Sequence, residues 1–215
     1  MRNVANFSVK FTFLNDKLAK TMARLLIIDN QDSFTYNLVD LVRRVSAETA
    51  LEFDVVNVHE LELNAVENYS HILISPGPDV PSAYPQLFAM LERYYQHKSI
   101  LGVCLGHQTL CQFFGGQLYN LSAPRHGQQR DLKVRSNSGL FLNLPAQFHI
   151  GLYHSWAVSE QGFPEQLEIT ATCDQKVIMA MQHKTLPIFS VQFHPESYMS
   201  EFGAQILRNW LNYQA

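Results

Sequence analysis

Charged residues are scarce in this sequence. They make up 16% of its 215 residues, and sixteen Lys and Arg against nineteen Asp and Glu leave a net charge of −3. There is no long basic run to neutralise phosphates, so neither nucleic acid nor an anionic membrane surface is expected as the main partner. No apolar stretch approaches the ~20 residues that a membrane-spanning helix needs. The N-terminal segment lacks the compact apolar block of a secretory signal, since Arg2, Lys10, Lys17 and Lys20 are spread through it. Cysteine is limited to Cys104, Cys111 and Cys173, an odd number whose spacing fits neither a disulfide framework nor a zinc knuckle. Reduced thiols and a cytoplasmic setting are the resulting expectation. The nine histidines are scattered; His149 and His154 lie near each other without an H-E-x-x-H context, so no metal site is expected. There is no internal repeat and no low-complexity linker.

What is there is a well-stocked core: 47% of the residues are apolar, enough for one good-sized domain. Leu25 to Ile28 reads as a short buried strand. Asp32 or Ser33 then caps a helix whose apolar positions Phe34, Leu38, Leu41, Val42 and Val45 repeat at helical spacing. Strands follow at Phe53 to Val58 and His71 to Ile74, a helix face at Leu87, Met90, Leu91 and Tyr94, and a strand at Ile100 to Val103. From Gln117 to Phe193 the pattern changes to short β-rich segments, some antiparallel. A last helix places Phe202, Ile206, Trp210 and Leu211 inward. Strands alternating with helices predict a single-domain α/β fold, a mostly parallel twisted sheet flanked by helices with a smaller β-rich part. Met1 to Thr21 stand apart, with Phe7, Val9, Phe11 and Phe13 alternating like an edge strand, and read as an extension without a catalytic part; residues 22–215 form the domain.

Gly102-Val103-Cys104-Leu105-Gly106 ends a buried strand and opens a helix. This is the nucleophile-elbow arrangement with cysteine in place of serine. A thiol there stands at a helix N-terminus, where dipole and free N–H groups favour a thiolate and an anionic intermediate. A thiol nucleophile needs a base, and the base an orienter. His194-Pro195-Glu196, after the Val191-Gln192-Phe193 strand, offers both: two residues apart in extended chain they point the same way. On its own that triplet is a chance surface turn; on the same sheet as an elbow cysteine it reads as catalytic. Ser75-Pro76-Gly77-Pro78 lies at the carboxyl end of a strand, where α/β sheets bind ligands. The N–H groups of Gly77 and Leu105 are candidates for an oxyanion hole. Cys111 and Cys173 read as core thiols, and His107 as a structural helix residue.

Asp29-Asn30-x-Asp32-Ser33-Phe34-Thr35-Tyr36-Asn37-Leu38, Ser75-Pro76-Gly77-Pro78, Gly102 to Gln108, Tyr153-His154-Ser155 and Val191 to Ser197 together resemble the class I (triad) glutamine amidotransferases. Among these the chain is most similar to the small subunits of anthranilate synthase and aminodeoxychorismate synthase. The resemblance runs from about Arg24 to the C-terminus and implies a flavodoxin-like fold. It implies that Cys104 attacks the side-chain amide of glutamine, that His194 moves the proton and that Glu196 orients His194. It further implies that Gly77 and Leu105 hold the oxyanion, and that Gln108, Ser155 and Trp156 grip the amino-acid end of the substrate. No cofactor is implied in this subunit. The implied partner is a chorismate-using synthase subunit, itself expected to use magnesium, that accepts the ammonia.

The sequence departs from the family pattern at Gln31, Asp79, Gln128, Leu152, Trp156 and Ser190. Several of these positions flank the glutamine pocket or the face toward a partner, and none is in the triad. Two other functions stay open at this point: a stand-alone γ-glutamyl thiol hydrolase of the same superfamily, and a non-catalytic interaction subunit, against which the intact triad argues.

Overall fold

The computed structural model describes residues 23–49 and 51–213; the expectations for residues 1–21 lie outside them. The strands are β1 (Arg24–Asp29), β2 (Glu52–Asn57), β3 (His71–Ile74), β4 (Ser99–Val103), β5 (Leu118–Val134), β6 (Gln147–Val158), β7 (Leu167–Thr172), β8 (Ile178–His183) and β9 (Ile188–Val191). The longer helices are α1 (Thr35–Thr49), α2 (Pro85–Tyr94), α3 (Leu105–Phe113) and α4 (Gly203–Leu211). All nine strands join one sheet in the order β2-β1-β3-β4-β9-β8-β7-β5-β6. From β2 to β9 neighbours run parallel; from β9 to β6 they run antiparallel.

The alternating side chains of β1 explain the layering. Leu25 and Ile27 point to one face, where they pack with Leu38, Val42 and Val45 of α1 and Trp210 of α4. Leu26 and Ile28 point to the other, against Leu87, Met90 and Leu91 of α2 and Leu110 of α3. Covered on both faces, β1, β3 and β4 are continuous apolar runs, as buried parallel strands are. Each such buried Leu or Ile contributes about 1.5–3 kcal/mol relative to exposure. The chain moves from β1 outward to β2, then back across β1 to β3 and β4, which leaves a crevice at the carboxyl ends of the parallel strands.

Four expectations need correction. The region from Gln117 to Phe193 is β-rich but not uniformly short, because β5 and β6 form a long hairpin with bulges between Asn120 and Arg125 and between His126 and Gln128. The last parallel strand ends at Val191 rather than Phe193. Phe202 is not inward: it precedes α4 with φ 59° and is 42% exposed, laying its ring edge against Phe148. Leu211 is only partly buried, whereas Ile206 and Trp210 are fully buried. Just ahead of α1, which begins at Thr35, Asp32 Oδ1 accepts from Phe34 N at 2.7 Å in the turn that leads into the helix.

Candidate active site

Loops after β1, β3, β4 and β9 meet the β5–β6 hairpin around a cleft of about 440 Å³. Cys104, Gly77, Leu105, Gln108, Ser155, Trp156 and His194 all line it, and Glu196 sits behind His194. All eight residues singled out in the sequence are therefore brought to one place.

Cys104 occupies the turn between β4 and α3 at φ 50°, ψ −96°, outside the regions an L-residue prefers. Its N–H donates to Val191 O at 2.8 Å, which ties the elbow to β9. The tightness of the turn comes from close packing. A Cβ on Gly102 would stand 2.5 Å from the Gly106 carbonyl, and one on Gly106 would stand 2.6 Å from Ile74 O. Strain of this kind persists only when the surroundings over-determine it. Leu105, the first residue of α3, has no helical partner for its N–H. Gly77 lies against the Leu105 side chain, close enough that a Cβ there would collide with Leu105 Cδ2.

His194 and Glu196 meet across a turn rather than along an extended strand. Ser197 N–H donates to His194 O at 3.1 Å, with Pro195 and Glu196 as the central residues, and proline suits the first central position of such a turn. His194 Nδ1 donates to Glu196 Oε1 at 2.7 Å, with both side chains almost completely buried. Burial by itself lowers the imidazole pKa, but the Glu196 carboxylate and then the Cys104 sulfur more than offset it and hold His194 well above the usual histidine range. His194 Nε2 is buried and makes no hydrogen bond of ordinary geometry among the described residues, and the Cys104 sulfur is the group beyond Glu196 that acts on the ring. The rings of Phe34 and Tyr153 stand edge-on to the imidazole at 5.2 and 5.0 Å. Tyr153 is tied back through its hydroxyl to Ser197 Oγ at 3.1 Å.

The opposite wall comes from β6. Trp156 O is a double acceptor: His154 Nδ1 donates to it at 2.8 Å and Gln108 Nε2 at 3.0 Å. Burial pulls His154 down to about 4, and nearby Arg125, His194 and His126 add to the lowering against the pull of the Trp156 carbonyl. His154 is thus neutral, with its proton on Nδ1. Ser155 Oγ meets His126 Nε2 at 3.4 Å.

Gln108 has a second bond, from Nε2 to Gln192 Oε1 at 3.1 Å. Because Trp156 O can only accept, the Gln108 amide must present its NH2 group, and both hydrogens are spent inside the protein. Its Oε1 alone remains for a ligand, so Gln108 can accept from an ammonium but cannot donate to a carboxylate.

The remaining sequence expectations have clear outcomes. His107 is buried, with Nδ1 2.8 Å from Ser190 Oγ, and burial lowers it to about 3. Ser190, one of the departures, thus gains a partner on α3. Cys111 is buried, which raises its thiol to about 12. Cys173 also rises to about 12, from burial and the neighbouring Asp174. Leu152 is fully buried. Asp79 lines the cleft, as does Trp156, whereas Gln128 bonds Arg130 outside it. Gln31 adopts φ 63° beyond β1, its N–H held by Asp29 Oδ1. Phe34, expected on the apolar face of the first helix, instead precedes α1 and lines the cleft, and no role was expected for Tyr153, His126 or Gln192. For Gln192 a signal was present: it stands two residues before His194, where an extended chain puts side chains on one side. Among the described residues no helix is long and apolar enough to cross a membrane.

A family model described as glutamine amidotransferase class-I matches residues 26–213. A putative anthranilate synthase component II of Haemophilus influenzae is 71% identical over 188 residues, 87% of this chain and 95% of that protein. Anthranilate synthase component 2 of Pseudomonas aeruginosa is 38% identical over 196 residues, 88% of this chain and 96% of that protein. Among solved structures, a glutamine amidotransferase from Thermotoga maritima superposes with a TM-score of 0.70 at 19% identity, covering 88% of this chain and 81% of that one; at that identity the likeness concerns the fold.

Proposed function

The chain belongs to the class I glutamine amidotransferases, and from that premise we propose that it is the glutaminase subunit, component II, of a chorismate-aminating synthase. The observation that carries the chemistry is the convergence of a strained cysteine and a buried, carboxylate-bonded imidazole on one cleft. The Cys104 thiolate attacks the side-chain amide carbon of glutamine. His194 Nε2 gives its proton to the departing nitrogen, ammonia leaves, and a glutamyl thioester remains. Water, deprotonated by His194, then cleaves the thioester to glutamate and returns the thiolate. Glu196 keeps the imidazole in the tautomer with its proton on Nδ1 and stabilises its charged form. The N–H groups of Gly77 and Leu105 hold the oxyanion in both halves. Gln108 Oε1 accepts from the substrate's α-ammonium, and the Ser155–Trp156 segment closes on the same end. This hydrolysis needs no cofactor in the chain itself.

The ammonia goes to a separate chorismate-using synthase subunit, which is a magnesium enzyme, in a complex that shelters it from protonation in bulk water. The names of the two curated relatives favour anthranilate as the product, with 4-amino-4-deoxychorismate as the other product of the same amination. The complex works in the cytoplasm, and residues 1–21 are an extension without a catalytic part. To test this, the purified chain is mixed with each synthase subunit, chorismate, magnesium and glutamine. Anthranilate formed from glutamine only when the chain is present supports the reading. Cleavage of larger γ-glutamyl amides with no stimulation by either synthase would replace it with a stand-alone hydrolase.

A further inference from the structure

Gln192 is fully buried one residue beyond β9, and its main chain is fixed by an N–H bond to Met179 O at 2.8 Å. Its side chain joins two parts of the cleft. Oε1 accepts from Gln108 Nε2 at 3.1 Å, and Nε2 donates to Cys104 Sγ at 3.5 Å, an ordinary length for an N–H···S bond. The polarity of this chain is dictated from one end. Trp156 O admits only a donor, so Gln108 presents NH2; Gln108 then demands an acceptor, so Gln192 presents its oxygen; the Gln192 NH2 is left to face sulfur. Turning Gln108 over would set oxygen against oxygen, and turning Gln192 over would set NH2 against NH2, each at the cost of an unmade hydrogen bond in a buried site.

We propose that Gln192 is a positioning residue for the nucleophile: its amide N–H stabilises the Cys104 thiolate and couples that sulfur to the substrate-gripping Gln108. This rests on Cys104 being the nucleophile of the proposed function. A hydrogen bond to the charged form of a group favours that form, and a bond to an ionised acceptor is stronger than one to a neutral acceptor. The bond therefore aims the sulfur lone pairs and meets the negative charge whenever sulfur carries it. It acts again in the second half-reaction: when the tetrahedral adduct of water and thioester collapses, the C–S bond breaks, the electron pair goes to sulfur, and Gln192 is in place to receive the charge. The thioester sulfur in between is a poor acceptor, so the bond is strongest in the two states that carry charge on sulfur. Substrate on Gln108 Oε1 polarises the Gln108 NH2, which in turn strengthens the Gln192 end of the chain.

Two variants separate positioning from packing. Gln192→Met keeps the length and removes both bonds. Gln192→Glu keeps an acceptor for Gln108 and sets a carboxylate against the sulfur. The readouts are the pH profile of Cys104 alkylation by iodoacetamide, with the modified peptide identified by mass, and the kcat and KM of glutaminase activity. In Gln192→Met the alkylation profile moves up by about one pH unit, and kcat falls roughly tenfold or more while KM also rises. In Gln192→Glu the profile moves further up and kcat falls, with KM within about threefold of the parent because the Gln108 contact survives. If Gln192→Met does not fold, Gln192→Glu decides by the same criterion. Folded variants whose alkylation profile and kcat match the parent overturn the proposal. A wrong nucleophile shows itself differently: Cys104→Ala keeps its glutaminase activity, whatever the Gln192 variants do.

Discussion

On the parallel side of the cleft a buried imidazole, His194, bonds a carboxylate; on the antiparallel side another, His154, bonds a backbone carbonyl. Both are removed from water, yet they move in opposite directions: His194 rises well above the usual range and His154 falls to about 4. Burial pushes each down, so the partner decides the outcome. Glu196 brings a full negative charge, and Trp156 O only a dipole. The parallel strand ends thus hold an imidazole that carries a proton, and the hairpin holds one, His154, that stays neutral with its proton on Nδ1. The charged imidazole and the neutral one divide the cleft, and Gln108 of α3 spans it by bonding Trp156 O of the hairpin.

The largest break in that division comes from Glu196→Gln. It leaves the hydrogen bond's shape and removes the charge, so His194 loses its upward shift. We expect kcat to fall about 10³-fold, and the basic limb of the pH–rate profile to move to lower pH, because the imidazolium is lost sooner as pH rises. Steady-state glutaminase assays across pH check this; an unshifted basic limb would show that Glu196 only packs. A smaller effect belongs to Gln108, which spans the cleft from α3 to the hairpin. Gln108→Leu removes the ligand acceptor and should raise KM for glutamine roughly 10–100-fold with a smaller change in kcat, measured in the same assay.

The smallest effect concerns stability. His107 and His154 are held neutral in the fold, at about 3 and about 4, and regain the ordinary value of about 6.5 when unfolded. The unfolded chain therefore binds more protons between these values, and stability falls as pH drops below about 6.5. Denaturant titrations near pH 5 should show uptake of about two protons on unfolding from these groups, and about one in His107→Asn. His194 works in the opposite sense. Its contribution is fully present below about 6.5 and is lost as pH rises through its elevated folded value.

The same division explains what could be read from the chain. The elbow, the Ser75–Pro78 turn and the His194–Glu196 pair each lie within a few residues, so glycine, proline and strand periodicity expose them. The buried runs of β1, β3 and β4 are legible for the same reason. The hairpin is not, because the bulges near Asn120 and His126 and the register of β5 on β6 are set by pairing between distant residues. The bond of Gln108 to Trp156 spans 48 positions and that of Gln108 to Gln192 spans 84. The resemblance put Gln108 and Trp156 in one pocket, but no local pattern says which amide atom faces which. Phe202 misleads because helical periodicity counts it as inward, whereas its left-handed backbone turns it out at the start of α4.

On the proposed function, Cys104 serves only the release of ammonia and another chain uses it. The most direct measurement compares Cys104→Ala with the parent, each bound to the synthase subunit, using glutamine and then saturating ammonia as nitrogen source. Glutamine-dependent product should disappear while ammonia-dependent product stays at the parental rate. Glutamine-dependent product from the Cys104→Ala complex would contradict that role of Cys104.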